Sequence, residues 1–178
     1  MKFTKLTIGG AYLIDLEKRE DERGSLARTW CAKEFADHGL TMSPLQGYSS
    51  YTKNKGTIRG IHYQVALFAE AKLTRVIKGA IYEVIIDLRP ESETFLHWDG
   101  VTIKATDEKM MYIPENVAHG LLTLTDDMEF QNLSSQPFTP EFEKGIRFDD
   151  PALKIFWPIE VLHVSEKDRS WEDFKGDN

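Results

Sequence analysis

The chain has one cysteine, Cys31, in 178 residues. A lone thiol excludes an internal disulfide, fits a reducing compartment and rules out any multi-cysteine metal site. No apolar run approaches the roughly 20 residues that cross a bilayer as a helix, so no membrane partner is expected. The opening residues, Met1 to Leu6, carry no apolar signal-peptide core, which makes the cytoplasm the expected location. Positive charge is also scarce: 22 Lys and Arg against 29 Asp and Glu give a formal net charge of −7. A nucleic-acid-binding surface needs a basic footprint, so nucleic acid is not an expected partner. An anionic small molecule stays open, because a few arginines and lysines can dominate one pocket. There is no internal repeat, low-complexity segment or linker, and residues 1–178 read as a single domain with a core of its own.

What is present is a series of short apolar or alternating runs separated by Gly, Pro, Asn and Asp, an all-β pattern. Ala80 to Leu88 is the clearest. Tyr82, Val84, Ile86 and Leu88 fall on one face, and Ile81, Glu83, Ile85 and Asp87 on the other. Pro90 stops it, since proline cannot continue a central ladder. Further strands are expected over Ala11–Leu16, Leu26–Cys31, Leu45–Tyr51, Ile58–Tyr63, Lys72–Lys78, Val101–Ala105, Lys109–Ile113, Gly120–Thr125 and Glu129–Ser134. Two short helices are expected. One runs from Ala32 to His38 and stops at Gly39; the other starts at a Ser165 cap with Asp168 in its first turn. Asp126, Asp127, Asp149 and Asp150 read as solvated turns. So many strands at this length predict a β-sandwich or barrel with closed edges.

Gly56 to Gln64 concentrates chemistry: Arg59 brings a cation, His62 a titratable base and Gln64 an amide, beside Gly60, which leaves room along the backbone. Histidine is the side chain best suited to move protons near neutral pH, so His62 is a candidate general base. Among the other histidines, His38 and His97 read as surface residues and His163 as a packing residue. His119, like His62, stands near glycine in an apolar strand context. For either one, a core imidazole bonded to a backbone carbonyl weighs evenly against a functional role. A metal site is not expected, because Gln64 is a poor ligand and no third or fourth ligand joins the two histidines. Taken singly, Lys72 is a strand-end lysine, Arg23-Gly24 a polar turn and Ser165 to Asp168 a capped helix start. Strict alternation would put Arg59 and His62 on opposite faces of a strand. A shared pocket therefore requires a bulge or twist near Gly60, or an Arg59 that precedes the strand.

In combination and in order, these segments resemble the dTDP-4-dehydrorhamnose 3,5-epimerase family of nucleotide-sugar epimerases, which have the cupin (jelly-roll) fold. The matching stretches are Asp21 to Gly24, Gly56 to Gln64, Ala71-Lys72-Leu73, Gly79 to Ser92, Ile113-Pro114 to Gly120, Gly145 to Pro151, Trp157-Pro158 and Ser165 to Asp168. They cover nearly the whole chain. The resemblance implies that His62 removes the proton beside the C4 ketone of a nucleotide-linked 4-keto-6-deoxy sugar, that Asp168 orients it, and that Lys72 stands by the C4 oxygen. Arg23, Arg59 and His119 would face the diphosphate, Gln46, Arg28, Phe138 and Asn132 would contact the rest of the substrate, and no metal or redox cofactor would be needed. It also implies a homodimer with strands shared across the interface.

The chain departs from the family at named positions. The family's proton-returning tyrosine falls on Asn132, which cannot act as an acid at useful pH. The expected reaction is therefore one inversion, at C3, with water, Tyr48, Tyr51 or Tyr63 supplying the returning proton. The family's aromatic and glutamate after Arg23-Gly24 are Leu26 and Arg28 here, its Gln-x-Asn is Gln46-Gly47-Tyr48, and its tyrosine pair before Pro140 is Pro137-Phe138. These changes leave dTDP, CDP and GDP sugars all open. Double 3,5-epimerisation with a substitute acid and 3,4-keto-isomerisation are the enzymatic alternatives; a catalytically impaired nucleotide-sugar-binding protein is the other.

Overall fold

In the computed structural model, residues 1–175 are described, and among them the chain forms thirteen strands and two short α-helices. In chain order these are β1 (Lys2–Lys5), β2 (Tyr12–Asp15), β3 (Lys18–Asp21), β4 (Gly24–Ala27), α1 (Ala32–Asp37), β5 (Gln46–Thr52) and β6 (Ile58–Gln64). There follow β7 (Lys72–Lys78), β8 (Ala80–Asp87), β9 (Trp98–Lys104), β10 (Lys109–Ile113), β11 (Val117–Thr123), β12 (Met128–Ser134), β13 (Glu143–Gly145) and α2 (Glu166–Arg169). A six-stranded sheet, ordered β1-β2-β10-β7-β12-β5, faces a five-stranded sheet, ordered β13-β6-β11-β8-β9; β3 and β4 form a separate hairpin. The fold is all-β, of the cupin jelly-roll type.

The alternation read along β8 is present, yet both of its faces are buried. Ile81 and Ile85 join Val76, Met111 and Phe130 in the core between the sheets. Val84 and Ile86 pack on the outer side, against Leu153, Trp157 and Phe174 of the C-terminal segment. Each isoleucine so buried contributes about 1.5–3 kcal/mol relative to exposure. A third cluster sets Phe35 of α1 against Tyr12, Leu73 and Tyr112 on the outer face of the six-stranded sheet. Gly39 ends that helix in the left-handed region, with φ +76°, and its amide donates to the Ala36 carbonyl at 2.9 Å.

The core is apolar only part of the way along. Register pairs Phe130 with Val76, Asn132 with Thr74 and Ser134 with Lys72 on β12 and β7. Inward-facing residues thus turn from apolar to polar towards one end of the sandwich. On β11, Leu121 joins the core while His119, two residues earlier, does not. That polar end holds the candidate site.

Three strands were not expected from the pattern. β1 and β3 are polar and mostly exposed, and β13 spans only three residues. β4 ends at Ala27, short of the strand expected through Cys31. β11 begins at Val117, so His119 lies inside a strand rather than in the loop before one. Two residues sit differently from expectation. Asp150 is not a solvated turn residue: it is 2% exposed and accepts hydrogen bonds from the Ala152 and Phe174 amides at 2.9 and 2.7 Å. His163 is exposed instead of packed, because its backbone, not its ring, is used: its carbonyl accepts from Ile58 N at 2.9 Å.

Candidate active site

Where β11 pairs with β6, His119 stands opposite His62, and Leu121 stands opposite Arg59. Two residues of β11 therefore match three of β6, which is a bulge at Gly60 and Ile61. Cross-strand partners share a face, as do residues two apart on β11. Arg59 and His62 therefore face the same side despite their spacing, as a common pocket required. Gly60 makes this possible. Its φ is +98°, and a Cβ there would lie 2.8 Å from the His119 carbonyl oxygen and 3.0 Å from Gly120 Cα.

β13 covers only the second half of β6, and the C-terminal segment takes over along the first half. This delivers α2 to the bulge. The Ser165 hydroxyl caps the helix by accepting from Asp168 N at 3.0 Å. The Asp168 carboxylate then meets the His62 ring, with Oδ1 at 2.5 Å from Nε2, and Oδ2 accepts weakly from Gly60 N at 3.5 Å. Burial pushes the Asp168 carboxyl up. The bond to His62 and its charge, with Ser165 and the Gly60 amide, outweigh burial and hold it below its ordinary range. Asp168 is thus an acceptor for the Nε2 proton of His62, and in the neutral ring that bond leaves the lone pair on Nδ1. A histidine held in that tautomer by a carboxylate is equipped to take a proton. Glu143 Oε1 lies 3.9 Å from that nitrogen, and its other oxygen pairs with Lys167. Residues Arg59, His62, Lys167 and Asp168 border a cavity of about 440 Å³.

The facing sheet contributes Lys72, which is 5% exposed and paired with Glu70 Oε1 at 3.1 Å. Glu70 is held in turn by the Ser134 hydroxyl. Between Lys72 and His62 lies a buried polar chain. Glu83, fully buried on β8, accepts from the Thr74 hydroxyl at 3.0 Å through Oε2 and sits 3.1 Å from His119 Nδ1 through Oε1. Burial pushes the Glu83 carboxyl up to about 8, against the pull of Thr74 and of the Lys72 charge. Burial likewise drives His119 well below its ordinary value, helped by the charges of Lys72 and His62. Both groups are neutral at pH 7. The hydrogen-bond network then assigns the Glu83 O–H as donor to His119 Nδ1, which leaves the Nε2–H of His119 as a donor.

At the mouth, Gln46 Oε1 accepts from Phe138 N at 2.6 Å, and the Phe138 ring, 48% exposed, has Lys167 Nζ 6.0 Å from its centroid. Arg59 reaches across to the other sheet, donating to Thr52 Oγ1 at 2.8 Å and to the Tyr51 carbonyl at 3.2 Å. Asn132 is 2% exposed and donates to the Tyr48 hydroxyl at 2.9 Å.

The expected cationic grouping of Arg23, Arg59 and His119 is not assembled within this chain. Arg23 is exposed on the β3–β4 hairpin and paired with Asp21 at 2.6 Å, because that hairpin belongs to neither main sheet. His119 is neutral and committed to Glu83. Arg28 pairs with Glu34 on the surface, where its charge is already answered. Gln64 is structural: it is 2% exposed and pins the loop at Pro137 and Thr139 with bonds of 3.2 and 2.6 Å. Glu83, Glu143, Glu70 and Thr74 escaped the sequence reading. Glu83 alone left a signal, a carboxylate between isoleucines in the clearest strand. Among the described residues no group of three or more His, Cys, Asp or Glu side chains is arranged to hold a metal ion. A larger cleft of about 910 Å³, with Tyr63, Arg89 and Trp171 in its walls, lies outside the five-stranded sheet and includes none of the residues above.

With this geometry in place, comparison with known proteins is specific. The model of the dTDP-4-dehydrorhamnose 3,5-epimerase family matches residues 5–176. A dTDP-4-dehydrorhamnose 3,5-epimerase of Methanothermobacter thermautotrophicus is 36% identical over 177 residues, spanning 98% of this chain and 95% of the relative. The crystal structure of the dTDP-4-dehydrorhamnose 3,5-epimerase of Bacillus anthracis str. Ames, with TDP and PPi bound, is 32% identical, with a TM-score of 0.93 over 97% of this chain and 99% of that one. ChmJ, a 3'-monoepimerase from Streptomyces bikiniensis solved in complex with dTDP-quinovose, is 28% identical, with a TM-score of 0.85 over 92% and 83%. The chain belongs to the dTDP-4-dehydrorhamnose 3,5-epimerase family of isomerases.

Proposed function

We propose that the protein inverts C3 of a nucleotide-diphosphate-linked 4-keto-6-deoxyhexose, supplying a sugar for surface polysaccharide. The observation that carries this reading is the His62–Asp168 contact of 2.5 Å on one sheet, with a buried Lys72 on the facing sheet. The C4 ketone of such a sugar acidifies C3. His62 Nδ1 takes the C3 proton, and the electron pair of that bond moves into the C3–C4 bond as negative charge grows on O4. The Lys72 ammonium, fixed in a poorly hydrated setting, answers a charge absent from the ground state, so it favours the transition state over the substrate. Asp168 stabilises the imidazolium formed.

Inversion at C3 alone is favoured by Asn132, which occupies the position expected for a tyrosine acid. TDP or dTDP ligands in related structures support dTDP as the nucleotide, with Phe138 and Gln46 at the mouth as its contacts. Arg59 is the diphosphate contact supplied by the same chain. The protein acts as a single-domain homodimer, which would give the protruding β3–β4 hairpin and Arg23 a neighbour; light scattering that returns a monomer mass would exclude this assembly. The test of the reaction is turnover of dTDP-4-keto-6-deoxyglucose by the wild type and by His62→Asn. The expected result is inversion by the wild type, and a variant that still binds the nucleotide sugar by calorimetry but is silent. Equal rates for the two proteins would remove His62 from the reaction.

A further inference from the structure

We propose that Tyr48 is the acid that returns the proton to C3, with Asn132 as its positioning residue; this rests on the C3-epimerase reading above. The pairing of β12 with β5 sets Asn132 directly opposite Tyr48, and its pairing with β7 sets Asn132 opposite Thr74. Thr74 reaches across to Glu83 on the other sheet, and Phe130, two residues before Asn132, is in the core between the sheets. Asn132 and Tyr48 therefore both face inward from the six-stranded sheet. His62 faces inward from the five-stranded one. A sugar ring held between the two sheets would have the base on one side and the phenol on the other, which inversion requires.

The remaining tyrosines are elsewhere. Of the chain's six, all among the described residues, Tyr51 gives its hydroxyl to Asp127 at an exposed edge, Tyr63 and Tyr82 pack outside the five-stranded sheet, and Tyr12 and Tyr112 outside the six-stranded one. Tyr48 has the environment an acid needs. Its residue surface is 46% exposed, which allows reprotonation from water, while its hydroxyl end is turned in against Asn132 at 2.9 Å. Burial raises the phenol's pKa, the Asn132 bond pulls it back, and Glu70 and Glu143 add to the rise. The phenol is thus protonated at pH 7 and senses both carboxylates that flank Lys72 and His62. Asn132 Oδ1 is buried with no partner among the described residues, so it can accept from a substrate hydroxyl. The two positions hold tyrosine and asparagine in the opposite order from that implied by the family resemblance: the acid has exchanged places with its cross-strand neighbour.

The enolate pair between C3 and C4 forms a new C3–H bond with the Tyr48 hydroxyl proton, the C4 ketone is restored, and Tyr48 is left as a phenolate stabilised by the Asn132 N–H. Water then reprotonates Tyr48, and His62 gives its proton to water. With the phenol removed, His62 can still abstract the C3 proton and return a deuteron from D2O to the same face.

Tyr48→Phe is assayed in D2O by NMR on dTDP-4-keto-6-deoxyglucose, alongside the wild type and the exchanged pair Tyr48→Asn/Asn132→Tyr. Inversion by Tyr48→Phe should fall about 10²- to 10⁴-fold, the usual contribution of a general acid. Deuterium should still enter C3 with configuration retained, and the exchanged pair should recover inversion at least tenfold over Tyr48→Phe. Inversion by Tyr48→Phe at the wild-type rate, or loss of exchange together with inversion, overturns the assignment. A wild type that neither exchanges nor inverts would instead sink the epimerase reading itself.

Discussion

Replacing Glu83 by Gln tests the buried polar chain beneath the site. The side chain is fully buried between the Thr74 hydroxyl and His119 Nδ1, and an amide of the same shape can keep both bonds, accepting from one and donating to the other. Burial raises the carboxyl from an ordinary 4.5 to about 8. A raised folded-state value means that this stability is fully present below about pH 4.5 and is lost as pH rises through 8. The full effect is on the order of 5 kcal/mol, at 1.36 kcal/mol per pH unit of difference. His119 works the other way: its value is depressed from 6.5, so its contribution is present above 6.5 and is lost as pH falls. Between about pH 6.5 and 8 the His119 contribution is level, and the Glu83 carboxyl alone should cost the wild type about 2 kcal/mol across that window. The raised Met1 amine adds the same small decline to both proteins near pH 8. Urea denaturation from pH 6.5 to 8.5 should show the Glu83 decline in the wild type and none of it in Glu83→Gln. Parallel stability curves for the two proteins would refute a protonated Glu83, and with it the neutral His119 donor.

Three other substitutions bear on the site. In Asp168→Asn the amide donates to Nε2 and moves the ring proton to Nδ1, so kcat should fall roughly 10²- to 10⁴-fold with the melting temperature little changed; activity above a tenth of wild type would show that the carboxylate does not set the tautomer. Gly60→Ala places a Cβ 2.8 Å from the His119 carbonyl at a φ of +98°. It should cost about 1–3 kcal/mol of stability and reduce kcat/KM by parting Arg59 from His62; an unaltered melt would mean that the bulge tolerates a side chain. Lys72→Met leaves Glu70 as an unpaired buried charge and should destabilise by about 3–5 kcal/mol. Adding Glu70→Gln should restore stability but not turnover, and restored turnover would remove Lys72 from the chemistry.

The strands that carry apolar alternation were legible from sequence: β7 and β10 fall where the pattern puts them, and β6 and β12 differ only at their ends. β1 and β3 were not, because edge and hairpin strands bury almost nothing and so show no period. The bulge at Gly60 followed from a conflict that residues could state, two functional side chains three apart on one strand. The His62–Asp168 pair could not be reached by spacing, since 106 residues separate the two, and only the family resemblance joined them. Glu83 was visible as an odd residue, but with both faces of β8 buried, alternation could not mark which side was the pocket. The absence of a tyrosine at 132 was plain. That Tyr48 stands opposite it needed the register of two strands 84 residues apart.

The fate of the C3 and C5 hydrogens in D2O decides whether the protein inverts one carbon or two, and whether His62 is the base. Incubating the wild type with dTDP-4-keto-6-deoxyglucose and following both positions by NMR separates every reading. Deuterium should enter C3 with inverted configuration, hydrogen should be retained at C5, and neither carbon should change with His62→Asn. Deuterium at C5 as well would contradict a single inversion, and exchange that persists in His62→Asn would contradict His62 as the base.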